Sequence, residues 1–233
     1  TATPQPTATP QSTPTPMALP ATPTPNPQFT NVYETVRRSI VKVETPSGVG
    51  TGWVFQEGWV LTAEHVVSGL EQATIHYVDS TGSVKILIGQ VTGFDRLRDL
   101  AVIKVPFGLP AIPIRTITRE NIAEQVMTVG YSSGQVGFPS VRVGVITTIV
   151  EVKGVEVVGL ETDADVDAGD SGGPMLDLDG NVVGINQATM LSNASGQRIL
   201  GRQKSLLVTE AVEVWEKLKE TTINSTQEYW WRR

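Results

Sequence analysis

The sequence predicts an all-β fold, a sandwich or barrel, preceded by an extended Thr/Pro-rich segment and closed by one C-terminal helix. Three observations carry this. From about Phe29 the chain is a series of short apolar runs rich in Val, Ile and Thr, separated by Gly, Asp and Ser, which is the length and spacing of strands. Helical periodicity is nearly absent between these runs and appears only in "LLVTEAVEVWEKLKE". The first 27 residues hold nine of the fifteen prolines and no charge.

Taken in order, that leading segment alternates Thr and Pro. Each proline fixes φ and lacks an N–H, so the segment cannot build a helix or a ladder and reads as a stiff, solvated spacer. Such composition is that of stalks that hold a domain away from a surface, the alternative being a tail with no role. The boundary falls at residues 1–28 for the linker and 29–233 for the folded domain. The strand candidates follow as "SIVKVE", "TGWVFQEGWVLTA", "QATIHYV", "SVKILIGQVTGF", "LAVIKV", "QVMTVGY", "VRVGVITTIVEV", "VEVVGLET" and "NVVGINQA". Within "MLDLDGNVVGI" a hairpin is expected to turn at Asp179 and Gly180. The prolines at 106, 110 and 113 mark a crossing between two halves, near residues 106–122. In the C-terminal helix Val208, Ala211, Val212, Trp215 and Leu218 share a face, Thr209 is the expected N-cap, and Glu213 and Lys217 pair outside. The final "EYWWRR" is expected to pack Trp230 and Trp231 against a barrel rather than to anchor at a membrane or partner.

Composition narrows the chemistry. With 233 residues, 39% of them apolar, the chain can bury a substantial core. The absence of cysteine excludes disulfides, redox dithiols and thiolate metal sites. His65 and His76 are the only imidazoles, too few for a zinc site. A net charge of −6 argues against nucleic-acid or anionic-membrane partners. No apolar run reaches membrane-spanning length, and the first residues lack a signal-peptide pattern, so any export signal or membrane anchor is expected to have been removed or never to have existed. Catalysis, if present, would use an oxygen nucleophile and one histidine.

The stretch "DAGDSGGPML" sets Ser171 between an acid and two glycines. Glycine is entropically costly, so its use around one hydroxyl suggests an unusual backbone shape, although a surface turn uses the same residues. A serine attacks only if a base takes its proton, and the base needs a third group to orient it. His65 in "GWVLTAEHVVSGL" and Asp99 in "RLRDLAVIKV" are the candidates. Each alone could be ordinary: a strand-end histidine, and an aspartate paired with Arg96 or Arg98.

Together, in the order His, Asp, Ser, the segments "LTAEHVV", "RDLAVIKV" and "GDSGGPM" resemble the signatures of trypsin-like serine peptidases. "TGWVF", "DLAVIKV", "VMTVGY" and "VGVITTI" resemble the bacterial HtrA/Deg branch in particular. The resemblance covers roughly residues 32 to 220. It implies two antiparallel six-stranded β-barrels, the first over about 32–112 and the second over about 122–207, then a helix over about 208–220, with the active site in the cleft between barrels. It implies His65, Asp99 and Ser171 as catalytic residues, the amides of Gly169 and Ser171 as oxyanion hole, and peptide hydrolysis through an acyl-enzyme without metal or organic cofactor. It further implies protein or peptide substrates and an extracytoplasmic location, and leaves the oligomeric state open.

Two features depart from the branch. Its members usually carry Asn before the serine, where this chain has Asp170. In the digestive enzymes that aspartate pairs with an N-terminal amine freed by cleavage, so Asp170 is expected either to find another cation or to signal an activating change. Six residues before the serine, where the resemblance puts the base of the primary specificity pocket, stands Asp165, which would favour Lys or Arg in a substrate. The HtrA pattern argues instead for a small apolar pocket, with Asp165 in water. Gln187 to Thr189 would form the adjoining wall. "DADVD" does not make an EF-hand calcium loop, because Ala168 and Pro174 stand where Gly and Glu are required. The rival reading from another class is a non-catalytic binding or adhesion module of the same fold on a stalk; the intact triad speaks against it.

Overall fold

The computed structural model describes residues 26–106, 108–151, 154–187 and 202–232. The proposed stalk, up to residue 25, and Thr189 lie outside the described residues.

Among the described residues twelve strands form two closed antiparallel barrels. The first contains β1 (Ile40–Thr45), β2 (Gly48–Gln56), β3 (Trp59–Thr62), β4 (Gln72–Val78), β5 (Val84–Asp95) and β6 (Leu100–Lys104), in the order β1-β2-β3-β6-β5-β4. Pairing of β1 with β4, Val43 opposite Ile75, closes it. The second contains β7 (Gln125–Gly130), β8 (Ser140–Glu151), β9 (Val158–Thr162), β10 (Pro174–Leu176), β11 (Val182–Asn186) and β12 (Gln203–Leu207), in the order β10-β11-β12-β9-β8-β7. It closes where Met175 of β10 faces Thr128 of β7. Closure leaves no unpaired edge in either sheet.

Strand alternation explains the packing. Successive side chains point to opposite faces, and along β6 Ala101 and Ile103 fill the first barrel while Leu100 and Val102 join the core shared between barrels. Both faces are buried, which is why "LAVIKV" reads as an unbroken apolar run. Met127, Leu176 and Ile185 meet this shared core from the second barrel, and Trp53 and Leu61 from the first. Fully burying such a side chain contributes about 1.5–3 kcal/mol. The β10–β11 hairpin turns as expected, with Gly180 at φ +84°.

Residues 108–124 cross between barrels and staple both. Ile112 N–H donates to Val54 O at 3.0 Å, and Val182 N–H donates to Pro113 O at 2.7 Å.

The helices differ from expectation. An unanticipated α1 (Pro27–Val36) begins within the residues assigned to the linker. Its signal was present: the Asn26 side chain accepts from Gln28 N–H at 3.0 Å, Pro27 opens the first turn, and Phe29, Val32 and Val36 are buried. α2 (Glu64–Val67) is a single turn. In α3 (Val208–Leu218) the N-cap is Leu207, with no side-chain cap, because β12 passes directly into the helix and leaves Thr209 inside the first turn. Val214, not Val212, completes the buried face with Val208, Ala211, Trp215 and Leu218, and Val212 is exposed. Glu213 lies 3.7 Å from Arg98 and does not make the expected pair with Lys217.

Candidate active site

His65 lies on α2, in the turn that immediately follows β3. Its Nδ1 is 2.7 Å from Asp99 Oδ2, and its backbone N–H donates to Asp99 Oδ1 at 2.9 Å. One carboxylate therefore fixes both the ring and the peptide of the histidine. Asp99 is fully buried and stands just before β6 with φ +54°, a left-handed conformation that costs a non-glycine residue about 1 kcal/mol or more. Gln187 Nε2 donates to the carbonyls of Arg98 and Asp99 at 2.5 and 3.2 Å and braces that turn. Arg98 is occupied elsewhere, by Asp95 and Glu210 at 3.1 and 2.9 Å, so the aspartate's partner is the histidine and not a neighbouring arginine.

Burial lowers the proton affinity of His65, but the Asp99 carboxylate and its hydrogen bond outweigh that, and the pKa is raised above the ordinary value of 6.5. Asp99 thus stabilises the imidazolium that a general base becomes.

Ser171 lies in the loop between β9 and β10 and is buried at 6% exposure. Every carbonyl of this loop from 168 to 171 is taken. Ala168 O accepts from Ser133 N–H at 2.7 Å, Gly169 O from Thr51 Oγ1 at 2.6 Å, Asp170 O from Gly173 N–H at 3.0 Å, and Ser171 O from Thr51 N–H at 2.8 Å. The amides of Asp170, Gly172 and Gly173 also have acceptors, whereas those of Gly169 and Ser171 have none among the described residues. Gly169, at φ +102°, passes so close to Tyr131 O that a Cβ would collide with it. At Gly172, φ +84°, a Cβ would meet Thr51 O, Thr62 Oγ1 and Ala63 N, which seats the serine loop beside the turn that carries His65. Among the described contacts no hydrogen bond joins Ser171 Oγ to His65, a link that commonly tightens only when substrate binds.

Asp170 is buried and accepts from Ser132 Oγ at 2.8 and 3.0 Å and from Asp167 N–H at 2.9 Å. Its direct partners among the described residues are a hydroxyl and an amide, not the cation that was one of the two expectations. Burial pushes its pKa up; those hydrogen bonds and the nearby Arg142 only partly offset it. Of the alternating aspartates, Asp163 is exposed and accepts from Val145 N–H at 2.6 Å, and Asp167 pairs with Arg142 at 3.1 Å. Asp165 is half-buried, and its Oδ1 is buried without a partner among the described residues. Gln187, expected on the pocket wall, is fully buried and turned toward Asp99 and Trp230.

Sequence reading missed Thr51, which had no signal beyond lying in "GTGW". It also missed that the C-terminal aromatics reach this site.

The family model for the trypsin-like peptidase domain matches residues 50–185. The serine endoprotease DegS of Salmonella typhimurium is 28% identical over 205 residues, 82% of this chain and 54% of DegS. The chloroplastic protease Do-like 5 of Arabidopsis thaliana is 30% identical over 168 residues, 64% of this chain and 50% of that protein. Among solved structures, the HtrA-type protease AlgW with a tripeptide superposes with a TM-score of 0.70 at 25% identity, covering 82% of this chain and 64% of that one. The crystal structure of Deg5 gives 0.70 at 24% identity, covering 84% and 96%. The chain spans about half or less of the curated relatives' length, from 34% to 54% in the foremost three. With both barrels, the His65–Asp99 couple and the glycine-lined serine loop in place, the chain belongs to the trypsin-like peptidase family, on its HtrA branch.

Proposed function

We propose that this protein is a serine endopeptidase that hydrolyses peptide bonds through Ser171, His65 and Asp99 and a covalent acyl-enzyme. Ser171 Oγ attacks the carbonyl carbon while His65 Nε2 takes the hydroxyl proton. Asp99 holds the Nδ1–H tautomer and stabilises the imidazolium. The imidazolium then protonates the leaving amine as the C–N bond breaks. Water, deprotonated by His65, attacks the resulting ester, and the imidazolium so formed protonates Ser171 Oγ as the C–O bond breaks and the acid is released. The negative oxygen of each tetrahedral intermediate is bound by the amides of Gly169 and Ser171.

The observation that supports this most strongly is the loop itself. Four consecutive carbonyls are bound away and two amides are left without acceptors among the described residues, an arrangement suited to binding an anion or a polarised carbonyl. The Asp165 oxygen, buried without a partner among the described residues, supports a cation-binding pocket base, and hence cleavage after Lys or Arg. The substrates are proteins or peptides, the compartment is extracytoplasmic, and the Thr/Pro-rich segment serves as a spacer.

The test is incubation of the protein and its Ser171→Ala variant with a mixed peptide library, read by mass spectrometry. Cuts present only with the intact serine are expected, predominantly after Lys or Arg. Absence of serine-dependent cuts, together with failure of Ser171 to react with a fluorophosphonate, would overturn the reading.

A further inference from the structure

Three consecutive aromatic residues near the end of the chain aim their polar atoms at the catalytic machinery. Trp231 Nε1–H donates to Asp99 Oδ2 at 3.0 Å, the same oxygen that meets His65 Nδ1 at 2.7 Å. Trp230 N–H donates to Leu97 O at 2.9 Å, and its indole N–H donates to Gln187 Oε1 at 2.6 Å. Gln187 in turn holds the Asp99 carbonyl. Tyr229 O–H donates at 2.6 Å to Glu64 Oε2, a buried carboxylate adjacent to His65 in sequence. The rings of Tyr229 and Trp231 stack at 5.0 Å, and each stands edge-on to the His65 ring at 6.4 Å.

This is a built fit. Trp230 is fully buried over Gly159, where a Cβ would overlap the indole. The segment leading to it is pinned to the first barrel: Ile223 N–H donates to Phe94 O at 2.8 Å and Asn224 Nδ2 to Asp95 Oδ1 at 3.0 Å. Simple aromatic packing needs the rings but not this convergence of three donors on residues 64, 99 and 187.

We propose that Tyr229, Trp230 and Trp231 form a positioning element for the catalytic pair, with Trp231 orienting Asp99, and through it His65, by its indole hydrogen bond. This inference rests on the triad reading above. A buried carboxylate needs its lone pairs filled, and the indole fills one that imidazole alone leaves open. Its donation also withdraws negative charge from Asp99, so loss of the N–H strengthens the carboxylate's hold on the imidazolium and raises the His65 pKa. Activity should therefore fall and its acidic limb should move to higher pH, a pair of effects that lost packing alone does not produce.

The experiment uses the full chain and its Trp231→Phe variant, which keeps a smaller aromatic ring and loses the donor. Fluorophosphonate labelling of Ser171 is followed against pH, and His65 and the Trp231 indole N–H are titrated by NMR. Labelling is expected to slow by on the order of tenfold in the variant, as for the loss of one hydrogen bond to a charged group, with the His65 titration moved to higher pH. In the unmodified chain the indole N–H resonance should shift at the pH where His65 titrates, a readout that needs no variant to fold. An indole resonance indifferent to that titration, or a variant with unchanged labelling and unchanged His65 titration, overturns the inference. If the unmodified chain does not label yet its indole tracks His65, the peptidase reading fails and the positioning contact stands. If it labels but the indole does not respond, the reverse holds.

Discussion

Thr51, on the first barrel, donates its backbone N–H to the carbonyl of Ser171, on the second, at 2.8 Å. Its hydroxyl donates to Gly169 O at 2.6 Å and accepts from Tyr131 N–H at 2.9 Å. One buried residue thus fixes the carbonyls on either side of the Gly169–Ser171 backbone from the opposite half of the molecule. Because the barrels meet here, the proposed oxyanion donors inherit the rigidity of the interface and not of a lone loop.

Replacing Thr51 by Val keeps the shape and the backbone bond but frees the Gly169 carbonyl to rotate toward the donors. Activity is expected to fall by roughly 10²-fold, the scale of losing one oxyanion donor, mainly in kcat. Thermal stability should drop by about 1–3 kcal/mol for the orphaned Tyr131 amide and Gly169 carbonyl. Steady-state kinetics with calorimetry on the same variant separates the two effects; unchanged kcat would remove Thr51 from the catalytic argument.

The raised pKa of His65 sets opposite trends for activity and stability. As the proposed general base it must be neutral, so activity should rise with pH to a plateau reached above the ordinary imidazole range. Its contribution to stability runs the other way. The folded pKa exceeds the unfolded value, so that contribution is complete below about 6.5 and is lost as pH rises through the folded pKa. The Asp99→Asn variant should lose about 10⁴-fold in kcat by analogy with a known triad, and its stability should lose this inflection. Paired pH profiles of activity and melting temperature check both.

Asp170 makes a prediction of its own. Its folded pKa is raised by burial, so its contribution to stability is present below the unfolded carboxyl pKa and lost as pH rises through the folded value. Asp170→Asn removes that cost. The amide oxygen can still accept from Asp167 N–H, and the Ser132 hydroxyl, which lies 2.9 Å from Ser140 Oγ, can turn to donate there. The variant should melt higher than the parent at neutral pH, with the difference closing in acid. A parent more stable at pH 7 would mean that the charge itself organises the loop.

Legibility in the sequence followed locality. Short apolar strands bounded by turn residues, the Asp179–Gly180 turn and the proline-marked crossing need only neighbouring residues to be recognised, and the glycine-flanked serine announced its own loop. The site's supports did not, because each is a contact across the fold. Thr51 and Ser171 are 120 positions apart, and Trp231 lies 132 from Asp99, so no periodicity in either segment encodes the pairing. The first helix was missed for a different reason: its Asn-Pro start follows a run of prolines whose sequence reads as a spacer. The partners of Asp170 were not legible either: the sequence left open a cation or an activating change, and the hydroxyl of Ser132, 38 positions away, carries no local signal.

The specificity pocket gives the last prediction. Asp163 and Asp167 have partners that explain them, an amide and an arginine, whereas Asp165 keeps a buried oxygen with none among the described residues. A half-buried carboxylate left in that condition is expensive alone and favourable once a cation reaches it. If it lines the primary pocket, Asp165→Ser should leave the triad intact and reduce kcat/KM for peptides with Lys or Arg before the cut by about 10²-fold or more, the scale of removing a buried charge partner. Peptides with Ala or Val at that position should change by less than about threefold, since a neutral side chain draws nothing from the carboxylate. Competition between a Lys and a Val peptide in one reaction reads the ratio directly. An equal effect on both would place Asp165 in the loop's architecture and leave the pocket to be lined by small apolar groups.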